Sequence, residues 1–82
     1  MIHVKLLFFA TLRDRAGMKS MEMDIPDDLT VRGLKAKLSA EYPNLKPSME
    51  SVLISVNKEY AFDDAVLPAN AEVALFPPVS GG

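Results

Sequence analysis

The chain has 82 residues, with 9 Lys and Arg against 11 Asp and Glu and a formal net charge of −2. That length holds one domain, and an apolar share of 49% is enough for an ordinary core, which excludes a disordered chain. The absence of cysteine excludes disulfides, thiolate metal sites, iron–sulfur ligation and a thiol nucleophile.

The bases Arg13, Arg15, Lys19, Arg32, Lys35 and Lys37 are scattered and make no stripe for nucleic acid or an anionic membrane. A protein partner suits this surface better. No signal-peptide pattern opens the sequence and no apolar run could span a bilayer, so the expected location is cytoplasmic.

His3 to Thr11 reads as a first strand. Val4, Leu6 and Phe8 share the core-facing parity, and His3, Lys5, Leu7 and Phe9 share the other. The outward set begins polar and turns apolar at Leu7 and Phe9. Arg13 to Gly17 reads as a polar connection, and Ser20 to Ile25 as a second strand with Met21, Met23 and Ile25 inward, making a hairpin with a longer loop. Period-2 spacing makes Met21 and Met23 core gap fillers, not soft-metal ligands.

Pro26-Asp27-Asp28 breaks the pattern, and Thr30 caps a helix of about three turns, with Leu29 placed to staple against Leu34. Val31, Leu34, Leu38 and Tyr42 form its apolar stripe, Gly33 falls on the opposite face, and Pro43 closes it. Asn44 to Ser51 is a connection. Val52 to Val56 is a third strand with Val52, Ile54 and Val56 inward, and Tyr60 to Phe62 a short edge strand. Asn70 suits a left-handed turn before the last strand, Glu72 to Phe76, which turns Val73 and Leu75 inward and Phe76 outward.

The implied fold is α+β, a mixed sheet of four or five strands under one crossover helix, over residues 1–76. One helix leaves the opposite face open, and parity puts Leu7, Phe9 and Phe76 there; if the first and last strands are neighbours they form one patch, which Tyr60 could extend. Residues 77–82 cannot continue the sheet. Pro77 and Pro78 remove two donors, and Val79, Ser80, Gly81 and Gly82 follow with nothing to bury. Extended, these six residues reach roughly 20 Å. Gly81-Gly82 is slender enough to enter a slot that excludes any Cβ.

The chain lacks the parts of a catalyst. Its single histidine, His3, reads as an exposed sheet residue, and Ser20, Ser39, Ser48, Ser51, Ser55 and Ser80 have no base in their segments. Asp27-Asp28 and Asp63-Asp64 read as solvated turn carboxylates. A terminal carboxylate on Gly82 would be ionised and a poor electrophile until a partner activates it, for instance as a mixed anhydride with AMP. ATP and Mg²⁺ would belong to that partner, and no cofactor or metal to this chain.

Leu7-Phe8-Phe9-Ala10 with Leu12-Arg13, the pair Val56-Asn57, and the closing Glu72-Val73-Ala74-Leu75-Phe76-Pro77-Pro78-Val79-Ser80-Gly81-Gly82 resemble the small subunits of molybdopterin synthase. The resemblance covers the whole length. It implies a ubiquitin-like β-grasp fold and a sulfur carrier: an E1-like adenylyltransferase activates Gly82, and a sulfur donor protein converts it to a thiocarboxylate. The tail then enters the large subunit of a heterotetramer and gives its sulfur to cyclic pyranopterin monophosphate, the precursor of the molybdenum cofactor. It further implies that Gly81 and Gly82 carry the reactive end, and that Phe9, Arg13, Tyr60 and Phe76, with the tail Pro77 to Ser80, meet partners. Asn70-Ala71-Glu72 departs from the family's usual Gly-Asp-Glu at the last turn. Alternatives are a sulfur carrier for thiazole or amino-acid synthesis, a ubiquitin-like protein modifier, and a plain interaction domain.

Overall fold

The computed structural model describes residues 1–78. Five strands, β1 (Ile2–Phe8), β2 (Ser20–Ile25), β3 (Leu53–Val56), β4 (Glu59–Tyr60) and β5 (Glu72–Phe76), form one sheet in the order β2-β1-β5-β3-β4. β1 and β5 are parallel and every other neighbouring pair is antiparallel. Two helices, α1 (Thr11–Ala16) and α2 (Val31–Glu41), and a 3-10 turn at Pro43–Ser48 complete the chain. No helix among the described residues is long and apolar enough to cross a membrane.

Period-2 and period-3.6 patterning meet in one core. Val4, Leu6 and Phe8 of β1, Ile54 of β3, and Val73 and Leu75 of β5 pack with Val31, Leu34 and Leu38 of α2. Met21 and Met23 pack against this core, as their spacing predicts.

α2 starts where the sequence places it. Thr30 Oγ1 accepts the Gly33 N–H at 3.1 Å, and the loop after β4 satisfies two more free donors, Val31 N–H to Ala65 O and Arg32 N–H to Asp63 O, both at 2.9 Å. Gly33 has a packing reason: a Cβ there would lie 2.5 Å from Leu29 Cδ1. Leu29 therefore lies over the glycine while packing against the core.

Four expectations need correction. β1 stops at Phe8, not Thr11, because Leu12 N–H donates to Phe9 O at 3.1 Å and turns the chain. The segment read as a polar connection is largely the helix α1; its Leu12 is buried, and Gly17, with φ 74, closes it by donating its N–H to Arg13 O at 3.0 Å. The connection after α2 is a 3-10 turn, and this stretch adds Leu45 and Met49 to the core. The edge strand also shifts, to Glu59–Tyr60, because Asn57 (φ 51) and Lys58 (φ 73) both adopt the left-handed conformation of a two-residue hairpin. Asn70 takes the positive φ its turn demands, 60°.

Candidate functional site

The register of the sheet fixes which side chains share the face away from α2. His3 lies opposite Asp24, Lys5 opposite Glu22 and Glu72, Leu7 opposite Ser20 and Ala74, and Ser55 opposite Ala74 and Tyr60. Phe76 lies opposite Leu53. Because Cα partners point to the same side, these residues form one surface.

Its apolar end lies where β5 runs into Pro77-Pro78. The rings of Phe9 and Phe76 are stacked, with centroids 4.7 Å apart and planes 11° apart, a favourable aromatic arrangement. Parallel pairing of β1 with β5 makes this contact possible, and Phe9 N–H still donates to Leu75 O at 3.2 Å although Phe9 lies beyond the strand. Phe9 is 41% exposed and Tyr60 73% exposed, while Leu7 and Phe76 are half-buried. Together with Ser55 and Ala74 these residues line a shallow hollow of about 320 Å³. Arg13, from α1, lines a smaller adjoining hollow with Phe9, Ala10 and Lys19.

Local backbone holds Phe9 in place. Ala10 has φ 53 and ψ −127, a conformation that favours glycine and costs an alanine on the order of 1–3 kcal/mol. On the other side, Asn57 joins the hairpin to β5: its N–H donates to Glu72 O at 2.8 Å, and its Oδ1 accepts the Glu72 N–H at 2.9 Å.

The opposite end of the same face is charged. His3 Nε2 lies 2.7 Å from Glu22 Oε1 and Nδ1 lies 3.0 Å from Asp24 Oδ1, so a protonated ring donates to both carboxylates. The hydrogen bond with Glu22, then that with Asp24, raises the His3 pKa above its ordinary 6.5, and His3 in turn lowers that of Glu22. On the helix side, Lys35 Nζ donates to Asp63 Oδ1 at 2.6 Å and holds that carboxyl below its usual range. Among the described residues no cluster of three or more His, Cys, Asp and Glu could hold a metal ion.

Of the residues singled out from the sequence, Phe9, Tyr60 and Phe76 are brought together, and Arg13 stands beside Phe9. Pro77 is half-buried and Pro78 exposed. Val79, Ser80, Gly81 and Gly82 lie outside the described residues. Sequence reasoning passed over Leu53, whose outward parity in β3 was the available signal, and Ala74, whose small side chain leaves the floor of the hollow open.

A profile of the ThiS family matches residues 6–82. A molybdopterin synthase sulfur carrier subunit from Dictyostelium discoideum is 38% identical over 81 residues, covering 95% of this chain and 94% of that protein. A structure of a molybdopterin converting factor subunit 1 from Pyrococcus furiosus superposes with a TM-score of 0.86 at 29% identity, over 96% of this chain and all of that one. The small modifier protein SAMP1 from Haloferax volcanii superposes with a TM-score of 0.84 at 30% identity, over 98% and 99% of the two chains.

Proposed function

The chain belongs to the ThiS family, and from that premise we propose that it is the sulfur-carrier subunit of a molybdopterin synthase. The observation that carries the reading is the stacked Phe9–Phe76 pair on an open apolar face, at the root of Pro77-Pro78. Such a patch is a docking surface, and it lies where a partner that takes up the following residues must approach.

In this reading the Gly82 carboxylate attacks the α-phosphate of ATP on an E1-like partner, and pyrophosphate leaves. A sulfur nucleophile at the level of sulfide, supplied by a donor protein, displaces AMP from the acyl carbon and leaves a thiocarboxylate. The large subunit then receives residues 77–82, the thiocarboxylate sulfur bonds to a carbon of cyclic pyranopterin monophosphate, and water cleaves the acyl–sulfur bond, which returns Gly82 to its carboxylate. Gly81 and Gly82 present no side chain to either active site. Arg13 and Tyr60 flank the docking patch. Two small subunits flank a large-subunit dimer. This chain supplies the sulfur and the docking surface, and its partners supply ATP, Mg²⁺ and the catalytic groups.

Intact mass of the protein after incubation with the activating enzyme, ATP and a sulfur source tests this directly. The expected result is exchange of one oxygen for sulfur at Gly82, abolished when Gly82 is deleted. A product still bearing only oxygen would overturn the reading. The similarity to SAMP1 favours a second reading, a protein modifier joined through Gly82. It predicts a covalent adduct on a lysine of another protein in the same assay.

A further inference from the structure

A groove larger than either hollow lies at neither end of the open face. It is a trough of about 830 Å³ along the β3–β4 edge, between that edge and α2. Val52, Leu53, Ile54, Tyr60 and Phe62 supply its apolar lining, and Arg32, Asp64 and the Lys35–Asp63 ion pair its charged part. Phe62 is 82% exposed, an unusual position for a phenylalanine.

Two features say what fits there. The first is an unfinished sheet edge. β4 pairs only with Ser55 and Val56, and one further bond, Ala61 N–H to Ile54 O at 2.9 Å, continues the ladder. Leu53 has β5 on one side and, among the described residues, no strand on the other. In an extended chain the groups of Val52 face the same side as those of Ile54, toward the trough. The second is continuity. Tyr60 lines both this trough and the hollow of the stacked phenylalanines, and Leu53 lines the trough while lying opposite Phe76. Phe9, Phe76, Leu53, Tyr60 and Phe62 thus make one apolar belt, running from the root of the tail round the sheet edge.

We propose that the partner which takes up the tail also sends an extended, apolar segment round this edge, pairing with β3 at Val52–Leu53 and burying Phe62. An added strand would complete the ladder through its backbone and use alternate side chains to fill the trough. The proposal rests on the sulfur-carrier reading for the identity of that partner, the large subunit of the synthase.

Calorimetric titration of Phe62→Ser against the purified large subunit is the test. Affinity is expected to fall about tenfold, as for a buried aromatic anchor, with an unchanged melting temperature because Phe62 is so exposed. Hydrogen exchange at the Val52 amide is expected to slow in the complex. Wild-type affinity for Phe62→Ser with no protection at Val52, while Phe76→Asp has lost binding, overturns the edge proposal alone. Wild-type affinity for both variants overturns the docking patch and the edge proposal together.

Discussion

The two ends of the open sheet face are built from the same strands and differ in what they leave unsatisfied. At one end His3, Glu22 and Asp24 pair with one another, so the charges there have partners within the chain. At the other, Leu7, Phe9 and Phe76 offer apolar surface that the chain covers only by stacking two rings. β1 carries both ends, changing character between Lys5 and Leu7. Charged groups at an exposed surface gain little from being covered, whereas exposed apolar area gains roughly 25 cal/mol per Å² when a partner removes it from water. The tail leaves from the end that has something to gain.

The severest change is to make the apolar end resemble the charged one. Phe76→Asp is expected to weaken assembly with the large subunit at least about 100-fold, because a carboxylate would be buried there without a partner. Folding should suffer far less, since Phe76 is only half-buried while its neighbour Leu75 is fully buried. Calorimetric titration with a parallel thermal melt checks both. Near wild-type affinity would remove Phe76 from the interface, and collapse of the fold would place it in the core.

A smaller effect sharpens the same contrast. Ala10→Gly relieves a backbone conformation that disfavours alanine, against the extra unfolded-state freedom of glycine. A net gain of about 1 kcal/mol is expected, or a melting temperature about 4–8 °C higher. The strained turn holds Phe9 against Phe76, so partner affinity should fall slightly while stability rises. If both rise together, the turn plays no part in presenting Phe9.

Strand parity, the Thr30 cap and the Asn70 turn were legible because each is a local pattern with one physical solution: alternation, a side-chain acceptor, a positive φ. The apolar patch followed from parity once the first and last strands were assumed to be neighbours, and their pairing supplied the missing step. α1 was not legible, because six residues with one buried leucine carry no helical period, and a C-terminal glycine looks the same as a loop glycine. Leu53 was missed because its meaning comes from Phe76 across the strand, a contact far away in sequence. The trough was invisible for a similar reason: Arg32, Leu53 and Phe62 meet only when α2 and the β3–β4 hairpin are in place.

The smallest expected effect belongs to the charged end, and it tests whether that end acts alone. His3 has a folded pKa raised above 6.5, chiefly through its hydrogen bond with Glu22. Its contribution to stability is fully present below pH 6.5 and is lost as the pH rises through the folded value. Glu22 has its pKa lowered below 4.5 by His3, so its contribution is present above pH 4.5 and is lost as the pH falls through the folded value. The clamp between β1 and β2 is therefore strongest from about pH 4.5 to 6.5. Both groups are well exposed, so the gain is small and salt-sensitive. NMR titration of the His3 ring should give a midpoint above 6.5, moving back toward it in Glu22→Gln, with no change in partner affinity across that window. A midpoint at or below 6.5 would mean the carboxylates do not hold the ring. A pH-dependent affinity that Glu22→Gln removes would mean that the partner also covers the charged end.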